Sequence, residues 1–146
     1  MRLRVSTNGN GRAPFIGKYE VAMTVPIVLL IGVGIFEFGR AYQTWQIVTK
    51  AAREGARVAV VAGATDADVE LAVRRYMEAG HLPNAAKAPV LLERRVPVGS
   101  TTGSQVTIRY PFEFMRLNPA AHLVKPDSTT GAPLTVSAVA TMRNES

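Results

Sequence analysis

The sixteen residues from Val21 to Phe36 (VAMTVPIVLLIGVGIF) carry no charge, and no other stretch limits the fold as much. At about 1.5 Å per residue, a helix over them covers roughly 24 Å of a hydrocarbon core about 30 Å thick. Tyr19 stands at one end and Phe38, Tyr42 and Trp45 at the other, where amphipathic rings favour the headgroup level. A buried core helix is the competing reading, but such helices rarely run beyond about 10–14 uncharged residues. The segment is therefore expected to span a membrane. Apolar residues make up 47% of the chain while the mean hydropathy is only slightly positive, which fits one span joined to one small domain.

Charge is distributed unevenly. Of the net +6, half lies in the first twenty residues, where Arg2, Arg4, Arg12 and Lys18 face only Glu20. Cations beside an apolar span hold that end in the cytoplasm, so the N-terminus is expected inside and the C-terminal domain outside. No basic stripe occurs on a folded face, and nucleic acid is not an expected partner. The absence of cysteine excludes a disulfide framework and a thiolate metal site without deciding the compartment.

Residues 1–17 are polar, glycine-rich and broken by Pro14, so 1–19 is read as a cytoplasmic basic tail. Together with the apolar run it resembles a signal peptide. However, no small-x-small cleavage site follows Phe36, where the sequence is Glu37-Phe38-Gly39-Arg40, so the helix is expected to stay attached. The span is read over 20–42 and the head over 43–146. Pro26 removes one helix hydrogen bond and is expected to kink or loosen the span. Glu20 at the mouth of the span is either a solvated neighbour of Lys18 or a carboxylate with a role, since burying it would require a partner. Gly32 and Gly34 permit a neighbouring helix to approach, although their spacing is not that of a four-residue small-residue face.

From Gln43 to Gly63 the helix becomes amphipathic. Lys50, Arg53, Glu54 and Arg57 mark one side, and Ile47, Val48, Ala51, Ala52, Val58, Ala59 and Ala62 the other. Gly63 is expected to end it. A second helix opens at Thr65 as N-cap, with Asp66 and Asp68 complementing its dipole. Its apolar stripe runs through Val69, Ala72, Val73, Tyr76 and Met77, and it is expected to stop at Gly80. Period-two alternation then marks three strands. The first carries Val90, Leu92, Val96 and Val98 with Arg94 intruding, the second Val106 to Phe114, and the third Leu134 to Met142. The segment 99–103 reads as a hairpin loop. The expected class is α+β: a long N-terminal transmembrane helix, a second helix and a small antiparallel sheet of about three strands. The proline-rich connection 116–133 is long for a compact domain and is read either as functional surface or as disorder.

Catalytic signatures are missing. There is no phosphate-binding loop, dinucleotide fingerprint or nucleophile elbow, and His81 and His122 lack ligand spacing to any acid. Neither an enzyme, a cofactor nor a bound metal is expected.

Three blocks carry a resemblance. Glu20-Val21-Ala22-Met23-Thr24-Val25-Pro26 resembles the Glu-Phe-Ala-Leu-x-x-Pro signature of TadE-like proteins, minor pilins of the tight-adherence (Tad) pilus of bacteria. Glu37-Phe38-Gly39-Arg40 and Ala51-Ala52-Arg53-Glu54-Gly55-Ala56-Arg57 follow at the spacing of that family. The resemblance implies a pilin-like protein anchored in the inner membrane, with a small α+β head outside and pilus subunits as partners. It further implies Glu20, Pro26, Glu37, Gly39 and Arg40 as membrane-boundary or assembly residues. Processed members are cut by a prepilin peptidase after a glycine, leaving a glutamate fifth in the mature chain. Cutting here after the nearest glycine, Gly17, leaves Glu20 third, a departure from that pattern. The Glu37/Arg40 couple is read either as an orienting or partner-contacting pair or as a self-paired exposed couple. A membrane-anchored binding module using the 116–133 loop, outside any filament, is the alternative function.

Overall fold

The computed structural model describes residues 15–115 and 134–144, and within them the chain is α+β as expected. Helix α1 runs over Phe15–Ala59, helix α2 over Asp66–Ala79, and a short 3₁₀ turn occupies Ala85–Lys87. Strands β1 (Val90–Val98), β2 (Thr101–Phe112) and β3 (Leu134–Arg143) form one antiparallel sheet with β2 in the centre. The 116–133 connection lies outside the described residues.

Helix α1 has 45 residues, which at about 1.5 Å per residue makes it roughly 67 Å long. It starts five residues before Glu20, immediately after Pro14, and a proline is best tolerated at or before the first turn of a helix. It continues through Pro26. From Glu20 to Gly32 every residue is exposed. Above that point one face goes under cover: Thr44, Val48, Ala51, Ala52, Gly55, Ala56 and Ala59 are buried at the three-to-four-residue steps of a helix stripe. The small side chains let α2 and the sheet approach closely. At Gly55 a Cβ would sit 2.5 Å from Val73 Cγ2 and 3.3 Å from Val106 Cγ1. The helix ends at Ala59, four residues short of Gly63, so Ala62 is exposed rather than part of the apolar side. Gly63, at φ +81°, instead serves the reversal into α2.

That reversal explains Arg94, which the alternation of β1 left out of place. Its guanidinium donates to the carbonyls of Ala59 (3.3 Å) and Ala64 (2.9 Å) and pairs with Asp66 at 2.9 Å. The cation thus satisfies the last carbonyl of α1 and one in the reversal that follows it. The next residue, Arg95, adopts φ +62° and the register slips between Arg94 and Val96. Through this bulge Val96 and Val98 pair with Gly103 and Thr101, placing them on the opposite face from Val90 and Leu92, where simple alternation had put all four together. The hairpin is also tighter than its sequence suggests. Val98 faces Thr101 across Gly99-Ser100, with Gly99 at φ +62°, so Thr101–Gly103 belong to the strand. Pro111 is tolerated in the central strand because β1 reaches only as far as Ile108.

Helix α2 buries Val69, Val73 and Met77 against α1 and the sheet, leaving Ala72 half-covered and Tyr76 exposed, outside the predicted core stripe. Opposite them β2 contributes Val106, Ile108, Tyr110 and Phe112, and β3 adds Ala138 and Ala140. Each large side chain removed from water in this way stabilises the head by about 1.5–3 kcal/mol before entropy is counted.

The two ends of α2 are built differently from each other. Thr65 and Asp68 form a capping box: the Thr65 hydroxyl accepts from the Asp68 N–H at 3.2 Å, and the Asp68 carboxylate accepts from the Thr65 hydroxyl (2.7 Å) and N–H (2.9 Å). The hydrogen bond from the Thr65 side chain, followed by that from its backbone, holds the Asp68 carboxyl below its ordinary value. A group depressed on folding stabilises the fold above its unfolded pKa, about 3.9, and loses that contribution as pH falls through the lower folded value. An Asp68→Asn variant is therefore expected to be less stable than the parent near neutrality and to converge with it in acid. Urea unfolding at a series of pH values reads this directly.

At the C-terminus the residue in the left-handed region is His81 (φ 58°), not Gly80 (φ −78°). Leu82 N–H donates to Met77 O and His81 N–H to Glu78 O, a Schellman arrangement whose Leu82 and Met77 are both buried in the core of the head. Gly80 is required for a separate reason, since a Cβ there would meet Ile47 Cγ2 at 2.6 Å. His81→Gly relieves the left-handed penalty and is expected to stabilise the head by about 0.5–1 kcal/mol after the added unfolded-state entropy, seen as a raised midpoint in denaturant.

Candidate functional site

The first charge after the apolar run is Glu37, and it is fully buried. Its Oε2 accepts from Arg40 Nη1 at 2.9 Å, an i,i+3 pair in which the arginine keeps 28% of its side-chain exposure. The reading of these residues as an exposed couple is thereby corrected. Helix phase causes the difference: Glu37, Arg40, Thr44, Val48 and Ala51 follow one another at three- and four-residue steps, on the face that the head covers. A carboxylate without access to water is costly unless paired and hydrogen-bonded, so its cation is held in place from the other side as well. The Arg40 guanidinium carbon lies 5.4 Å from the centroid of Phe112, at the end of β2, and Phe112 in turn meets Phe114 edge-on at 5.3 Å.

Beside Arg40 lies a cavity of about 220 Å³, lined in part by Arg40, Thr44, Asn84, Tyr110, Phe112 and Glu113. Asn84 closes one side, its N–H donating to Tyr110 Oη at 3.2 Å and its Nδ2 to Pro111 O at 3.4 Å. These contacts tie α1, the segment after α2 and β2 together at the point where the uncharged run ends. The arrangement fixes the head on the helix. It offers no nucleophile beside a base, and among the described residues no group of three or more His, Cys, Asp or Glu could hold a metal.

The remaining residues of interest are not drawn together. Glu20 is exposed, and the Thr24 hydroxyl donates to its carbonyl at 2.7 Å. Pro26 and Gly39 are exposed, and nothing comes within 4 Å of a Cβ built on Gly39. Gly17 lies in the first turn of α1. Sequence reasoning missed Thr44, Asn84, Tyr110 and Phe112 as parts of this junction. The seven-residue step from Glu37 to Thr44 was the available signal.

Of the apolar window of α1 only 6% is buried, although the helix is long and apolar enough to cross a membrane. A core helix of a soluble protein would be mostly covered, and a removable leader would not carry the head's own core on its C-terminal half. The helix thus has the length, composition and exposure of a membrane span, and its motifs run through both halves. Residues 20–57 match the family model described as TadE-like protein. This is the stretch whose three motif blocks carry the resemblance. The TadE-like segment starts at Glu20, contains the Glu37–Arg40 junction and stops two residues before the end of α1. Helix α2 and the sheet lie beyond it. No curated protein and no solved structure matches the chain.

Proposed function

We propose that this chain is a minor pilin of a Tad-type pilus, held in the bacterial inner membrane by α1 and acting by assembly rather than catalysis. The observation that carries this reading is the coincidence of the TadE-like segment with a helix that is exposed and apolar below and buried under a head above. In this arrangement residues 1–19 lie in the cytoplasm, 20–42 span the bilayer and 43–146 form the extracytoplasmic head, as the cation excess of the first twenty residues favours. Other pilin or pilus-assembly subunits are the partners, and a prepilin peptidase acting near Gly17 is the processing enzyme. Glu20, exposed at the mouth of the span, neutralises a cation there, either the freed amine of a neighbouring subunit or Lys18.

Affinity purification from gently solubilised membranes, with intact-mass measurement and N-terminal sequencing of the recovered chain, tests the reading. Recovery of pilus subunits that is lost in a Glu20→Ala variant is the expected result. A chain that recovers none of them, from a strain that makes normal pili without it, contradicts the proposal.

A further inference from the structure

Val28, Ile31, Ile35, Phe38, Tyr42 and Trp45 follow one another along α1 in steps of three, four, three, four and three, and all six are exposed. This is the a/d spacing of a coiled-coil seam, and it runs from the middle of the apolar segment to nine residues past its end at Phe36. We propose that this seam packs against the same seam of a second copy of the chain, as a parallel, in-register helix pair that continues from the bilayer into the space above it. The inference rests on the membrane-anchored assembly reading and names the face and the partner.

Four observations select this occupant. The only charged residues between Val21 and Thr49, Glu37 and Arg40, lie on the opposite face, where Glu37 is buried and Arg40 is engaged with it and Phe112. Two identical rows can therefore face each other in register without like charges meeting. Copies of one chain enter a membrane in the same orientation, so a self-pair is parallel and the same residues meet. The head covers the other side of α1, through Thr44, Val48 and Ala51, and does not obstruct the seam. Gly32 and Gly39, one heptad apart, flank the seam, and a Cβ on either meets nothing within the chain. Glycine in a helix interior is disfavoured, and close approach of another backbone supplies a reason for it. At the end of the span and beyond it, Tyr42 and Trp45 remain exposed with ring centroids 5.8 Å apart. Lys50 and Arg53 then close the seam at its upper end.

The chain has no cysteine, which makes the test direct. Single cysteines are placed in the full chain at Phe38, Tyr42 and Trp45, and at the exposed off-seam positions Phe36 and Gln43. Membranes are then oxidised with copper phenanthroline, with and without the other pilus subunits present. The pair predicts disulfide dimers at the seam positions at a yield at least roughly fivefold above the off-seam ones, in both backgrounds. Gly39→Leu combined with Trp45→Cys is expected to bring the yield down to the control level while leaving head unfolding unchanged. Equal yields at all positions, or dimers that require the other subunits, overturn the pair. Flat cross-linking with co-purification retained removes only this inference, whereas periodic cross-linking with no pilus subunit recovered removes only the assembly reading.

Discussion

Leucine at Gly55 is expected to destabilise the head strongly, while leucine at Gly39 in the same helix leaves it intact. The two glycines have the same backbone conformation and differ in what surrounds them. At Gly55 a single added carbon already lies 2.5 Å from Val73 Cγ2 and 3.3 Å from Val106 Cγ1, two β-branched side chains in the packed centre of the head. Neither can rotate away without disturbing the next layer, so α1 and α2 must separate. Overpacking of this kind costs about 3 kcal/mol or more, against a gain in helix propensity of at most about 1 kcal/mol. For a head of this size that corresponds to a fall in the unfolding midpoint of roughly 10 °C or more. At Gly39 there is no neighbour, so the midpoint should not fall, and the propensity gain of at most about 1 kcal/mol can only raise it, by several degrees at most. Circular dichroism melts of the two variants in detergent measure both values, and equal effects at the two sites would contradict the packing described for α1.

Arg40→Ala is expected to have the second large effect. It removes the guanidinium from a carboxylate that has no access to water, together with its stacking on Phe112. Breaking a buried pair from one side costs about 3–5 kcal/mol, and the partial exposure of Arg40 brings the expectation here to about 2–3 kcal/mol. Replacing both partners, as in Glu37→Leu with Arg40→Leu, is expected to cost less than the single arginine change, because no uncompensated charge is left behind. Denaturant midpoints of Arg40→Ala, of the single Glu37→Leu and Arg40→Leu changes and of the double variant check the order. A double variant as damaged as the sum of two single changes would show that the pair is not the unit that matters.

Periodicity made most of the fold legible. The shift from an uncharged run to a three-to-four-residue stripe in α1, the capping residues Thr65 and Asp68, and the alternation of β2 and β3 are local signals, and each reports a local cause. Legibility ended where a residue answers to a distant segment. Arg94 breaks the pattern of β1 because the carbonyls it satisfies belong to Ala59 and Ala64, far earlier in the chain. Gly80 is the helix stop that the sequence announced, yet its missing side chain also makes room for Ile47, and the left-handed position falls to His81 instead. The bulge at Arg95 turns Val96 and Val98 to the other face, and no composition rule announces a bulge at an arginine. At the candidate site the Glu37/Arg40 spacing was visible, whereas its burial was not, because Phe112 and Tyr110 arrive from the sheet.

The proposed function makes one helix both membrane anchor and structural core, and alkaline carbonate extraction of membranes from cells producing the full chain tests that claim most directly. The exposed apolar half of α1 predicts that the chain stays in the pellet with integral membrane proteins. Release of the intact chain into the supernatant would show that this surface is covered by protein instead, and would contradict the anchor.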